Sequence, residues 1–230
     1  MSSTAQTGRP RYFKNDAEPA RRDPYKQVVA SLKRLVDDYP PNTLLPGGGI
    51  YYGPISIAYL FYALQPLYPD LEVMGEPLGH WSAEYLKQAQ AHMKVYPGPT
   101  FDKCGVSDDI MCILALDAAS TKDADMAAEL CRYAAVTADE QAGDEWLYGR
   151  AGYLYLLRMV KQTFARDAGV AELIEETADE VIEAIMESSR PWKWHGKAYV
   201  GAVHGAVGII TQIVLTDPSW APKLEGDLAA

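Results

Sequence analysis

The sequence predicts an all-α fold, an incomplete arc of about four helical hairpins of the six- or seven-hairpin α/α-toroid type. Three observations predict it. Amphipathic segments alternate with segments that are apolar on nearly every side. A glycine turn opens each apolar segment. No stretch sustains the period-2 alternation of a strand, so sheet content should be negligible.

Residues 1–22, rich in Arg, Pro and Ser, are expected to form a flexible N-terminal arm. Residues 23–230 are expected to form the partial toroid. Tyr25, Val28, Val29, Leu32, Leu35, Val36 and Tyr39 follow helical spacing after Asp23-Pro24, and Pro40-Pro41 ends that helix. A turn from Leu45 to Pro54 leads into Ile55–Leu64, which has no polar face and reads as a helix buried all round. The alternation then returns. Outer helices are expected over Trp81–Val95, Asp123–Val136 and Ala171–Glu187, and inner helices from near Gly105, Gly149 and Gly205. On the last outer helix Leu173, Ile174, Val181, Ile182, Ile185 and Met186 form one face, and a run of acids forms a solvated face.

The turns Gly53-Pro-Ile-Ser56, Gly105-Val-Ser-Asp108, Gly149-Arg-Ala-Gly152 and Gly205-Ala-Val-Gly208 align, their first glycines 52, 44 and 56 residues apart. A period near fifty with one hairpin per unit marks a repeat array. The chain stops at Ala230, where a fifth outer helix would begin. The ring is therefore expected to be open, exposing part of its inner helices and inviting self-association.

Composition narrows the function classes. Of 230 residues, 21 are basic and 31 acidic, a formal charge of −10 that disfavours nucleic acid as a partner. No apolar run approaches the roughly 20 residues of a membrane span, and Met1–Pro24 lacks a signal-peptide core. A cytoplasmic protein is expected. Cys104, Cys112 and Cys131 show no pairing pattern and read as reduced thiols. Together with His80 and His92 they lack zinc-ligand spacing, so no metal site is expected from them.

Three segments resemble one family. Gly49-Ile-Tyr-Tyr-Gly-Pro-Ile-Ser-Ile-Ala-Tyr-Leu60, Glu145-Trp-Leu-Tyr-Gly-Arg-Ala-Gly-Tyr-Leu-Tyr-Leu-Leu157 and Trp194-His-Gly-Lys-Ala-Tyr-Val-Gly-Ala-Val-His-Gly-Ala-Val-Gly-Ile209 are similar to the first, third and fourth inner-helix motifs of the lanthionine synthetase C-like proteins. The opening Arg11-Tyr-Phe-Lys-Asn15 is similar to that of the eukaryotic branch. In the second motif Cys104-Gly-Val-Ser-Asp-Asp109 departs from the usual Cys-Gly-x-x-Gly.

The resemblance implies a seven-hairpin toroid that adds a thiol, of glutathione or a peptide, to a dehydroamino acid and forms a thioether. It also implies zinc ligands, a Cys and then a Cys-His pair, in hairpins beyond residue 230, so no cofactor is expected in this chain. His204 matches the family's proposed general acid/base, with hydrogen bonding to a neighbouring loop as the alternative. Glu145 matches a carboxylate that would orient that histidine, with helix N-capping as an equal alternative. Arg11 matches a position implicated in holding glutathione, set against a plain arm charge. Arg150 is a candidate substrate ligand or a loop clamp. Tyr148, His195 and Lys197 are candidate cavity-lining residues.

Two other functions fit the same repeat logic. One is a non-catalytic glutathione- or protein-binding scaffold without zinc. The other is a carbohydrate-active toroid, which needs paired cavity carboxylates, with Glu145 and Asp108 or Asp109 as the candidates.

Overall fold

The computed structural model describes residues 23–43 and 47–228. The arm over residues 1–22, Arg11 included, lies outside the described residues. α1 (Pro24–Asp38) starts where expected because the Asp23 carboxylate accepts from the N–H groups of Tyr25 and Lys26. A 3₁₀ turn (Pro41–Thr43) follows, then the first glycine turn and α2 (Pro54–Leu64). A two-residue hairpin, β1 (Glu72–Val73) with β2 (Glu76–Pro77), turns at Met74 and Gly75, both at positive φ. It leads into α3 (Leu78–Gln90) and a 3₁₀ turn at Met93–Val95. The remaining helices are α4 (Asp109–Thr121), α5 (Ala124–Cys131), α6 (Ala134–Thr137), α7 (Arg150–Thr163), α8 (Ala168–Glu187), α9 (Ala206–Thr216) and α10 (Ala221–Leu228).

The helices form the arc of an all-α toroid. α2, α4, α7 and α9 touch in that order as the inner layer, and each packs against the helix that follows its own turn back, α3, α5, α8 or α10. α4 is the most enclosed, with Ile110 to Leu116 buried without a break. Between the layers α3 presents Leu78, Tyr85 and Leu86, and α8 presents Ile174, Val181, Ile182 and Ile185. At about 25 cal/mol per Å² this burial is the main force closing the arc.

Three expectations need correcting. The outer helix expected over 123–136 breaks into α5 and α6, because the Tyr153 hydroxyl on α7 donates to the Leu130 carbonyl at 2.7 Å and reaches that of Cys131 at 3.3 Å. Those carbonyls are then satisfied from outside the helix, and Tyr133 N–H closes a tighter turn onto Leu130. α3 and α8 each begin three residues earlier than hydrophobic spacing placed them, α8 behind an Asp167 N-cap. α2 is not buried on every side: Leu60 is exposed, and Tyr59 and Tyr62 are half-buried along a cleft facing α7.

Successive turns are joined by main-chain hydrogen bonds. Ile50 N–H donates to Val106 O (3.0 Å), Ser107 N–H to Leu147 O (2.9 Å), Cys104 N–H to Tyr148 O (2.7 Å) and Trp146 N–H to Val203 O (3.0 Å). Within the third and fourth turns the pattern repeats at an offset of 56. Gly149 N–H meets Glu145 O and Gly205 N–H meets Gly201 O, while Arg150 N–H meets Gly143 O and Ala206 N–H meets Tyr199 O. Tyr148 and His204 are therefore equivalent positions.

Glycine is required where the incoming strand of the turn lies against the helix. A Cβ at Gly208 would sit 2.0 Å from Ala202 O, and one at Gly152 would sit 2.0 Å from Trp146 O. Gly208→Ala should cost about 2 kcal/mol or more, since the contact is with backbone. Gly226→Ala, whose Cβ would meet nothing within 4 Å, should be neutral or stabilise by up to about 1 kcal/mol. Urea midpoints check both.

Asp108 caps α4, accepting from Met111 N–H at 2.8 Å. Burial pushes its carboxyl up to about 6, against the lowering effect of that bond and of Lys103. The folded protein thus holds this proton more tightly than the unfolded chain. The contribution is fully present below about pH 4 and is lost as pH rises through about 6. Asp108→Asn keeps a competent cap. Between those pH values the wild type should lose on the order of 3 kcal/mol more stability than the variant, read from urea melts across pH.

Candidate functional site

The third and fourth turns bring Glu145 and His204 together. Glu145 is 3% exposed. Its carboxylate accepts from Leu147 N–H at 2.9 Å and from Tyr148 N–H, both in its own loop. The same Oε2 lies 2.8 Å from His204 Nδ1. Glu145 is not the N-cap of α7, which is Gly149. It fixes the turn and engages the histidine at once.

An ionised carboxylate only accepts, so a neutral His204 carries its proton on Nδ1, and Nε2 is the nitrogen left for proton exchange. No protein group among the described residues bonds Nε2. The His204 side chain is 26% exposed, so the ring is reachable while its other nitrogen is anchored in the protein.

The ring has an aromatic floor. Trp194 stacks on it with centroids 3.9 Å apart and planes within 10°. Tyr148 lies parallel to both rings at about 6.5 Å, and Tyr199 leans on the cluster at 6.3 Å from His204. Trp194 and Lys197 exchange both main-chain hydrogen bonds around His195 and Gly196, each at positive φ. This tight hairpin presents the indole. Beside it opens a cleft of about 620 Å³ lined by Glu145, Tyr148, Lys193, Trp194, His195 and Asp102.

The candidate residues separate accordingly. Glu145, Tyr148 and His195 line the cleft; His204 does not line it and meets it through its contacts with Glu145 and Trp194. Lys197 is exposed at the hairpin base and does not line it. Arg150 is 3% exposed and away from the cleft. Its guanidinium donates to Thr137 O (2.7 Å), Ala142 O (3.1 Å), Asp139 O (2.7 Å) and Asp144 Oδ1 (2.7 Å). The geometry is that of a loop clamp, which corrects the expectation of a substrate ligand. Sequence reasoning passed over Trp194 as a site residue, and Lys193 and Asp102 altogether. The 56-residue offset was the available signal for Trp194, because it sets Tyr148 beside His204 and puts the preceding hairpin over both.

Asp108 and Asp109 are committed elsewhere. Asp108 caps α4, and Asp109 accepts from Gly49 N–H at 3.0 Å. Neither lines the cleft with Glu145, so the carboxylate pairs that the sequence offered for a glycosidase are not assembled there.

Nor do these residues fit the zinc site the resemblance implies. Among the described residues no group of three His, Cys, Asp or Glu could hold a metal ion. The three cysteines are buried, and burial pushes the Cys104 thiol up to about 12, Cys112 well above the usual range and Cys131 upward. Thiolate is the metal-binding form, and burial disfavours it here.

Removing the Arg150 clamp leaves Asp144 and three carbonyls buried without their donor. Arg150→Met should cost about 3–5 kcal/mol, measured by chemical denaturation.

A family model described as lanthionine synthetase C-like protein matches residues 47–218, about three quarters of the chain. The chain is also similar to a protein of Danio rerio named glutathione S-transferase LANCL1, at 36% identity over 76 residues. That match covers 29% of this chain and 19% of the relative, so the chain spans only about a fifth of that protein's length. No helix among the described residues is long and apolar enough to cross a membrane. With three quarters of its length matched and its glycine turns in register, the chain belongs to the lanthionine synthetase C-like family.

Proposed function

We propose that the cleft at the glycine turns handles the addition of a thiol, of glutathione or of a peptide cysteine, to a dehydroamino acid. The observation that carries this reading is the 2.8 Å contact that anchors a partly exposed His204 on the buried Glu145 and leaves Nε2 without a protein partner among the described residues. Family membership and the name of the Danio rerio relative, a glutathione S-transferase, support the choice of thiol.

In the proposed step the thiolate sulfur bonds to Cβ of the dehydroamino acid. The C=C pair moves onto Cα and its carbonyl, and a proton on His204 Nε2 quenches it at Cα. The proton given up by the thiol reloads the imidazole, so H and S are added across the double bond with no redox partner. Glu145 acts as a positioning residue, holding the ring's tautomer and orientation. Lys193 and Asp102 on the cleft wall suit the carboxylates and the amine of glutathione. In the family, zinc supplies thiolate at neutral pH. The residues described here do not hold it, and no step above uses it.

A second reading is a scaffold whose cleft, with its aromatic floor, binds glutathione or a peptide without turning it over.

One assay separates the two. Near pH 7.5 about a tenth of an ordinary thiol is ionised, so bulk solvent supplies thiolate to a dehydroalanine peptide. The chain should accelerate thioether formation over buffer, and His204→Gln should remove about 10²-fold or more of that acceleration. Glutathione binding by calorimetry without acceleration selects the scaffold. Neither binding nor acceleration sinks both readings.

A further inference from the structure

We propose that the cleft between the C-terminal halves of α2 and α7 is a second binding site, for a small ligand that joins an oxyanion to a flat apolar body. The cleft holds about 560 Å³ and shares no lining residue with the one beside Glu145. Arg158 stands eight residues beyond Arg150 on α7, about 12 Å further along the helix axis. This site therefore lies at the opposite end of the inner layer and stands apart from the proposed proton-transfer chemistry.

Its walls supply two kinds of recognition. Tyr59 and Tyr62 from α2 and Tyr155 from α7 offer ring faces, with Tyr59 and Tyr155 joined through their hydroxyls. Arg158 supplies charge. Its guanidinium lies 5.6 Å from the Tyr155 ring centroid and is fixed from behind by α9, on Gln212 Oε1 (2.7 Å) and Thr216 Oγ1 (3.1 Å).

Both those partners are neutral. Among the described residues no carboxylate lies within ion-pair distance of Arg158, and Asp217, next along the chain from Thr216, is bound to Ser219 instead. A half-buried guanidinium without a counter-ion is costly, and burial already lowers the proton affinity of Arg158. In a chain of net charge −10 it forms a preorganised fork with donors still available for a planar anion. Carboxylate and phosphate share the chemistry this fork recognises, and the tyrosine faces suit an aromatic or other flat body beside it.

The test titrates the chain with benzoate, phenyl phosphate and neutral benzyl alcohol while following the Arg158 side-chain Nε resonance by NMR. Benzoate or phenyl phosphate should shift that signal saturably with Kd of about 1 mM or tighter. Whichever binds more tightly identifies the oxyanion. Arg158→Gln should weaken binding by about tenfold or more, followed through the Gln162 amide. Because Arg158 also ties α7 to α9, Ala63→Phe provides an independent variant that fills the cleft without touching the guanidinium, and it too should abolish the shift. Equal binding by benzyl alcohol, undiminished binding in both variants, or no saturable shift with either anion overturns the proposal.

Discussion

The structure depends on main-chain hydrogen bonds that join each glycine turn to the next. A helical hairpin has no intrinsic reason to stand at a fixed rotation to its neighbour, since apolar packing is non-directional. The bonds from Ile50 to Val106, Ser107 to Leu147 and Trp146 to Val203 supply the direction. They form only if backbone meets backbone without an intervening side chain. A Cβ at Gly49 would sit 2.2 Å from Val106 O, and the backbone there is at positive φ. The glycines are thus the condition for the bonds, and the bonds hold the turns in register.

The site follows from that register. Glu145 and His204 are 59 residues apart, one in each of two joined turns, and neither helix by itself would bring them together. Because Trp146 N–H is tied to Val203 O, the residues on either side of that bond, Glu145 and His204, are carried to hydrogen-bonding distance by the backbone. The carboxylate is further held by two amides of its own loop, which keeps it from following the imidazole if the ring moves. Preorganisation of this kind is what proton transfer requires. Arg150 serves the same end from beneath, closing the 137–144 segment onto the start of α7.

The architecture was legible because it repeats. Four glycine turns at near-equal spacing, each before an apolar segment, can be counted without coordinates, and the motif around Gly205 pointed to His204. The departures arise where one side chain acts across the layers. Nothing around Arg132 predicts the α5–α6 break, whose cause is a hydroxyl on α7. Asp167 carried a readable capping signal that hydrophobic spacing outweighed. Arg150 read as a clamp sooner than as a ligand, and its four acceptors bear out the clamp. Arg158 gave no local sign at all, because its partners lie 54 and 58 residues away. Trp194 stacks on His204 by virtue of a His195-Gly196 turn, a pair less diagnostic of a hairpin than Asn-Gly.

Amide hydrogen exchange tests the central claim most directly. If the joined turns fix the arc, the Ser107 and Trp146 amides should exchange only through global opening, as slowly as Ile113 at the centre of α4. Exchange of those two amides at the rate of amides in α10 would mean that the turns open independently of the core, and the account of how the dyad is held would fail.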